Sequence, residues 1–203
     1  MRLIFVRHGE SVWNHEGRVQ GIADPPLSER GRAQAALVAE RLAREFNPAA
    51  VYASALQRAT ETGRIIAVRL GLPLHVDARL NEYDIGALTG LTDAEIAQQY
   101  PDIRAKWEMD VQWVPIPGEE GLYRFLDRIT RAIEDIIAVH PGDAEVVVTH
   151  GGVMALYLGD LIGLNPRQRM PWRFDNASIS IVEPEGARPR IVRLNDTAHM
   201  RCE

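Results

Sequence analysis

The chain has little cysteine and no long apolar run. Its 203 residues include one cysteine, Cys202, so no intramolecular disulfide can form, which predicts a reducing, cytoplasmic location. No apolar run reaches the roughly 20 residues that cross a bilayer, and the N-terminus has no signal-like apolar core. We therefore expect no membrane partner.

Lysine is also scarce, because Lys106 is the only lysine among 23 basic residues. The formal net charge of -5 argues against nucleic acid as the main partner. The G-x-x-x-x-G-K-[ST] phosphate loop is absent from the sequence, and no compact aspartate cluster suggests a magnesium-dependent phosphotransferase. The other basic residues are arginines, whose planar forks bind phosphate through paired hydrogen bonds.

The chain does contain alternating β-branched runs and amphipathic stretches, which are typical of an α/β domain. Its hydrophobic fraction of 46% suffices for one core, so we predict a single domain over 1–203 with a cover subregion at about 83–120. Strands are predicted at 3–6, 50–53, 145–149, 176–182 and 190–194. Helices are predicted at 33–46, 56–70, 92–100, 118–140 and 153–163. This order predicts a three-layer α/β/α sandwich around a mostly parallel sheet.

Local signals fix some helix ends and faces. Ser28 is predicted to cap the first long helix, and Thr92 with Glu95 resembles a capping box. The apolar residues of the first long helix predict a core-facing stripe at Ala36, Leu37, Ala39, Leu42 and Ala43.

Two predicted strands end in histidine followed by glycine, at His8 and His150. Because the carboxyl ends of parallel strands meet at one edge of a sheet, we expect both rings there. Arg7 precedes the first histidine, Arg58 lies in the first turn of a helix, and Glu82 lies in a loop. Each residue alone has a structural alternative, such as a strand cap or an exposed helix arginine. Together they predict one site with two histidines, two arginines and a carboxylate.

Such a set suits phosphoryl transfer without a metal. Two histidines and a carboxylate could also bind zinc, but two guanidinium groups would repel a divalent cation. Arginines can instead spread positive charge over the phosphoryl oxygens. A neutral histidine can attack phosphorus if a backbone carbonyl holds its other ring nitrogen. A glutamate can protonate the leaving oxygen and then deprotonate water.

The opening segment, LIFVRHGESVWN at 3–14, resembles the signature of the histidine phosphatase superfamily, which includes the cofactor-dependent phosphoglycerate mutases. The resemblance covers nearly the whole chain. It continues through Gly21, Asp24, Leu27-Ser28, Gly31, SALQRA at 54–59, LNE at 80–82 and VTHGG at 148–152. It implies the phosphoglycerate mutase-like fold, in agreement with the predicted sandwich.

The resemblance also implies roles for individual residues. His8 would be the nucleophile and Glu82 the acid and base, while Arg7, Arg58 and His150 would bind the phosphoryl group during catalysis. Further substrate-binding residues implied by the family are Asn14, Gln20, Gly21 and Gly151. The structural alternatives are a helix cap for Asn14 and a solvated loop position for Gln20.

The residues after Glu82 resemble the phosphatase branch of the superfamily. The mutases have arginine directly after this glutamate, where this chain has Tyr83. We therefore expect a metal-independent phosphomonoesterase that hydrolyses small phosphorylated metabolites through a phosphohistidine. The alternatives are a phosphoglycerate mutase, which would need a bisphosphoglycerate primer, and an inactive module that binds a phosphorylated ligand. The phosphatase itself needs no cofactor, and a homodimer is compatible with the sequence.

Three residues have roles that the sequence leaves open. Trp107 and Trp113 either line an apolar leaving-group pocket or pack against the helices beneath them. The family resemblance allows His199 to touch the substrate, and the structural alternative is a surface histidine at a strand end.

Overall fold

The computed structural model describes residues 1–109, 114–139, 144–168, 171–184 and 189–201. Its six-stranded sheet has the order β3-β2-β4-β1-β5-β6. Strands β1 to β4 run parallel, whereas β5 is antiparallel to both of its neighbours. The strands are β1 Arg2–Arg7, β2 Ala50–Ala53, β3 Leu74–Val76, β4 Ala144–Thr149, β5 Ile179–Glu183 and β6 Arg190–Asp196. The predicted mostly parallel sheet is confirmed.

The helices follow the strands along the chain, as predicted. They are α1 Val12–His15, α2 Glu29–Glu45, α3 Gln57–Leu70, α4 Asp93–Gln99, α5 Pro101–Glu108, α6 Leu122–Val139 and α7 Gly151–Leu161. Short 3-10 helices cover Ala78–Leu80, Gly86–Leu88 and Ala198–Met200. The predicted caps are present, since Ser28 accepts from the backbone of Gly31 and Thr92 forms a capping box with Glu95. In the described part of the chain, no helix combines the length and apolarity needed to cross a bilayer.

The two faces of the sheet bury separate cores. In β1, Leu3 and Phe5 pack on one face with apolar residues of α6 and α7. Ile4 and Val6 point to the opposite face and pack with residues of α2 and α3. This alternation buries residues 3–6 of β1 on both faces of the sheet and gives the molecule its three layers.

Two local predictions were wrong. In α2 the core-facing residues are Ala35, Val38, Ala39 and Leu42, whereas Ala36 and Leu37 are exposed, the latter by 43%. No strand was predicted between 53 and 145, but Leu74–Val76 pairs with β2 as the edge strand β3. Its residues are partly or fully exposed, so it lacks the apolar run of a central strand.

The register of β1 and β4 brings the two histidine-glycine motifs together. Arg7 lies opposite Thr149, and the backbone N–H of His8 donates to the carbonyl of Thr149 at 2.9 Å. The turn after β1 then packs tightly on the start of α2, where a Cβ on Gly9 would overlap the backbone of Gly31. Glycine is required at this contact because two backbones touch.

Candidate active site

A cleft of about 860 Å³ opens beside the carboxyl ends of β1 and β4. It is lined by six of the predicted site residues and by Tyr83, which follows Glu82. The six are Arg7, His8, Asn14, Gln20, Gly21 and Glu82. The cleft therefore lies at the sheet edge where ligands bind in α/β folds.

His8 is held as a neutral imidazole with one nitrogen available. Its Nδ1 lies 2.7 Å from the carbonyl oxygen of Gly9. Because a carbonyl only accepts, Nδ1 carries the hydrogen and Nε2 keeps its lone pair. Burial lowers the pKa of His8 well below its usual 6.5, and the charges of Arg7 and Arg58 lower this pKa further. A neutral ring with an unprotonated Nε2 is the form that can attack phosphorus.

The ring of His150 lies beside that of His8, with 5.1 Å between the ring centroids. Its Nε2 lies 2.7 Å from Ser54 Oγ, which donates to Asn81 Oδ1 at 2.8 Å. Since Asn81 Oδ1 also accepts from the Ala55 backbone, the hydroxyl proton points to Asn81 and His150 Nε2 donates to Ser54. Burial, followed by the charge of Arg58, lowers the pKa of His150 well below 6.5.

The two arginines give their terminal nitrogens to backbone carbonyls. Arg7 Nη1 donates to Phe174, while Arg58 donates to Ala23 at 2.7 Å and to Gly21 at 2.9 Å. Burial lowers the pKa of Arg7 and brings that of Arg58 to about 10. A guanidinium group keeps its proton in proteins at neutral pH, so both arginines are charged. These hydrogen bonds fix the planes of both guanidinium groups.

Three buried atoms of this cluster have no hydrogen-bond partner within the described residues: Arg7 Nε, Arg58 Nε and His150 Nδ1. A buried group of this kind costs about 1–3 kcal/mol when it is left unsatisfied. Unpartnered buried polar atoms are rare in native proteins and call for a specific explanation, such as a missing ligand. Two of the three carry positive charge, so an anion is the ligand they favour.

Glu82 lies at the N-terminus of α7, where backbone N–H groups hold both carboxylate oxygens. Oε2 accepts from Gly152 at 3.0 Å and Oε1 accepts from Tyr83 at 2.9 Å. A Cβ on Gly152 would overlap the carboxylate of Glu82, so this approach needs glycine. The helix N-terminus favours the carboxylate electrostatically.

The side-chain amides of Asn14 and Gln20 are oriented by hydrogen bonds to their oxygens. Asn14 Oδ1 accepts from the Ser11 backbone and from Asn176 Nδ2, both at 3.1 Å, while Gln20 Oε1 accepts from Ser11 Oγ at 2.7 Å. Because both oxygens are used in this way, the NH₂ groups remain for a ligand in the cleft. Asn14 is also part of the capping box of α1, so it has both the structural role and the cleft position.

Gly21 and Gly151 lie beside the arginines. Gly21 lines the cleft with a φ of 50°, and its carbonyl accepts from Arg58. Gly151 begins α7, and its Cβ position would lie 3.7 Å from Arg7 Nε. The structure thus brings all the predicted site residues to one region.

Sequence reasoning missed the basic outer wall of the cleft. Arg18, Arg104, Lys106 and Arg173 line it. Arg18 pairs with Glu95 at 3.0 Å and Arg104 pairs with Asp93 at 3.2 Å. Lys106 and Arg173 are exposed and have no carboxylate partner in the ranges that the structure describes. The sequence could not predict that Lys106 and Arg173 lie on the same wall, because they are almost 70 residues apart in the chain.

Trp107 lines the cleft and also packs against the small apolar cluster of Leu88, Ile96 and Ile116, so both of its alternatives apply. A second tryptophan in the cleft is Trp172, which the sequence did not single out. Trp113 lies outside the described residues.

His199 is half-buried away from the cleft. Its Nε2 donates to the carbonyl of Ala177 at 2.9 Å, and its Nδ1 lies 3.2 Å from Arg41 Nη1. These contacts give it a structural role. Within the described ranges, no three histidine, cysteine, aspartate or glutamate side chains are arranged to hold a metal ion.

Comparisons with known proteins show the family to which the chain belongs. The family model of the histidine phosphatase superfamily (branch 1) matches residues 3–197. Phosphoserine phosphatase 1 of Hydrogenobacter thermophilus is 35% identical over 200 residues, which cover 98% of this chain and 94% of that protein. The metal-independent phosphoserine phosphatase of Arabidopsis thaliana is 35% identical over 98% of this chain and 82% of its own length.

A solved structure shares the fold at similar identity. Mycobacterial glucosyl-3-phosphoglycerate phosphatase, in complex with VO3, superposes with a TM-score of 0.85 at 32% identity and covers 97% of this chain and 99% of its own. Fold, motif set and family model agree over almost the full length. The chain therefore belongs to the histidine phosphatase superfamily, branch 1.

Proposed function

We propose that the protein is a metal-independent phosphomonoesterase that transfers the phosphoryl group of a small metabolite to His8 Nε2 and then to water. The observation that carries this proposal is the unsatisfied cluster of Arg7 Nε, Arg58 Nε and His150 Nδ1 around a neutral His8. The oxygens of a phosphoryl group would accept from Arg7 Nε and Arg58 Nε and offset the buried positive charge, and a protonated phosphoryl oxygen would donate to His150 Nδ1. The name of the Arabidopsis relative supports metal independence.

In the first step, the arginines bind the phosphoryl oxygens, and the NH₂ groups of Asn14 and Gln20 add further donors. His8 Nε2 forms a bond to phosphorus while the bond between phosphorus and the ester oxygen breaks. Glu82 gives a proton to the leaving oxygen, and the alcohol departs. The guanidinium groups stabilise the charge on the transferring group, which is the task of a metal ion in other phosphotransferases.

In the second step, Glu82 is a carboxylate and takes a proton from water. The resulting nucleophile attacks phosphorus, and the bond to His8 Nε2 breaks. Phosphate leaves, His8 returns to its neutral form, and Glu82 has recovered the proton that it lost. The cycle therefore balances without an external acid, base or metal.

The substrate that we propose is a small phosphomonoester with a carboxylate. Phosphoserine and phosphoglycerates have this composition, and the relatives' names mention both. Lys106 and Arg173 line the outer cleft without a carboxylate partner among the described residues and would bind the substrate's carboxylate. Tyr83 in place of the mutase arginine favours hydrolysis over transfer between positions on glycerate. A cytoplasmic location and a homodimer stay predictions from the sequence.

Phosphate release in the presence of a chelator tests the reaction. We expect turnover of phosphoserine to persist, and rapid quenching to capture an acid-labile, base-stable phosphoenzyme that the His8→Gln variant cannot form. His15→Gln, a change at an exposed histidine on α1, is the matched control. Activity that is lost in chelator and restored by zinc or magnesium would overturn the mechanism. Interconversion of 3- and 2-phosphoglycerate that is faster than phosphate release would favour the mutase.

A further inference from the structure

The segment that carries Glu82 is held by side chains. It connects two 3-10 helices, Ala78–Leu80 and Gly86–Leu88, and belongs to no strand. Four consecutive carbonyl groups, at residues 79 to 82, accept hydrogen bonds from side chains of other elements. The carbonyl of Leu80 accepts from Thr149 Oγ1 in β4 at 2.8 Å. The other three accept from a single residue of α6.

That residue is Arg128. Its Nη1 donates to the carbonyls of Arg79 at 2.8 Å and Asn81 at 2.7 Å, and its Nη2 donates to that of Glu82 at 2.9 Å. Its Nε and Nη2 also donate to the two oxygens of Glu120 at 2.9 and 2.6 Å. The guanidinium group is 22% exposed and therefore largely shielded from water.

Glu120 extends this contact to the other side of Glu82. Its Oε1 accepts from the backbone N–H of Asp84 at 2.9 Å, and its own N–H donates to the carbonyl of Asp84 at 3.1 Å. The ion pair of Arg128 and Glu120 thus binds the backbone just before and just after the glutamate. Arg128 also lies over the ring of Phe125, 4.7 Å from its centroid, which fixes the guanidinium plane.

We propose that Arg128 is a positioning residue that holds Glu82 in reach of the leaving oxygen. This inference rests on the proposed function, because it assumes that Glu82 is the leaving-group acid. A general acid must lie within hydrogen-bond reach of its target, and a misplacement of about 1 Å can slow a reaction by about 10²-fold. With Arg128 removed, the carbonyls of residues 79, 81 and 82 lose this donor and the segment loses its contact with α6.

Only arginine has the geometry for these contacts. Lysine carries its charge on a single nitrogen with three donors and cannot span three carbonyls and a carboxylate. Arg131, one turn further along α6, is the matched control, since it forms an exposed ion pair with Asp127. Three variants separate the possible effects. Arg128→Lys keeps the charge but loses the guanidinium geometry, Arg128→Gln loses both, and Arg131→Gln reports general effects on α6.

The test compares leaving groups by rapid quench. A nitrophenolate departs without a proton, whereas the alkoxide of serine needs one. We expect Arg128→Gln and Arg128→Lys to slow phosphoenzyme formation from phosphoserine by about 10²-fold and from nitrophenyl phosphate by much less. Arg131→Gln should leave both rates unchanged. If Arg128 serves only stability, its variants will lower the melting temperature and affect both esters equally, which overturns the proposal.

A double variant makes the test independent of the size of the effect. If Arg128 acts through Glu82, then Glu82→Gln with Arg128→Lys will form phosphoenzyme from phosphoserine at the rate of Glu82→Gln alone. Additive losses would overturn the inference. Should Arg128→Gln fail to fold, Arg128→Lys and Glu120→Gln provide the same comparison. A wild-type protein that forms no phosphohistidine would refute the proposed function instead, so the two failures are distinguishable.

Discussion

The folded protein should become less stable in mild acid, because its two buried histidines stay neutral while those of the unfolded chain take up protons. Burial and the neighbouring arginines lower the pKa of both His8 and His150 well below 6.5. In the unfolded chain a histidine takes up a proton near pH 6.5. Below that value the unfolded state binds more protons than the folded state, so the free energy of unfolding falls as pH falls.

The magnitude follows from the proton balance. A histidine that stays neutral when folded loses about 1.4 kcal/mol of stability between pH 7.5 and 5.5. For His8 and His150 together the loss is about 2.7 kcal/mol.

Urea unfolding at several pH values measures this loss of stability. The buffer must be free of phosphate, because phosphate would bind only the folded state and stabilise it. The double variant with glutamine at both positions should lose about 2.7 kcal/mol less than the wild type over this range. His15→Gln, at an exposed position, is the control. An identical pH dependence in wild type and double variant would refute the neutral, buried state of the rings.

Three further predictions concern catalysis and binding. Glu82→Gln should slow phosphoenzyme formation from phosphoserine by on the order of 10²–10⁴-fold and from nitrophenyl phosphate far less. Equal slowing with both esters, and no burst of nitrophenol, would exclude Glu82 as the leaving-group acid. Lys106→Gln and Arg173→Gln should each raise KM for phosphoserine about two- to fivefold but should not raise KM for glycerol phosphate. An equal rise in KM for both esters would refute the proposal that these residues bind the substrate's carboxylate. Asn176→Ala should weaken inhibition by inorganic phosphate about tenfold, because Asn14 Oδ1 and the carbonyl of His8 lose the hydrogen bonds from Asn176 Nδ2. Unchanged inhibition would contradict the assigned orientation of the Asn14 side-chain amide.

Central strands were predictable because burial on both faces leaves an apolar run in the sequence. β1 and β4 are such strands. The edge strand β3 was missed because only three residues pair and none is fully buried. In α2, apolar residues occupy neighbouring positions, so the core-facing stripe can be assigned to positions that are shifted by one residue. A shift of one residue rotates a helix by about 100°, which explains why Leu37 is exposed.

The two histidines that we propose to take part in the reaction could be predicted from the sequence because they lie in short local motifs at strand ends. Their positioning residues could not. Asn176 meets Asn14 across 162 residues of chain, and nothing in its own neighbourhood indicates this contact. Arg128 looks like any other arginine of an amphipathic helix, similar to Arg131 one turn away. Its role depends on which face of α6 meets the segment that carries Glu82, and only the fold determines that.

In the proposed mechanism, the two arginines of the cluster serve two requirements that would otherwise conflict. Phosphate binding needs positive charge close to the reacting histidine, whereas attack on phosphorus needs that histidine to be neutral. A buried guanidinium would satisfy both, because burial and the arginine charges lower the pKa of His8 while the guanidinium binds the phosphoryl oxygens. Burial brings the pKa of Arg58 from 12.5 to about 10, which corresponds to about 3 kcal/mol against the charged form. An incoming phosphoryl group offsets this cost, and it does so most strongly when negative charge develops on its oxygens. Substituting either arginine would therefore weaken transition-state binding and also make His8 easier to protonate.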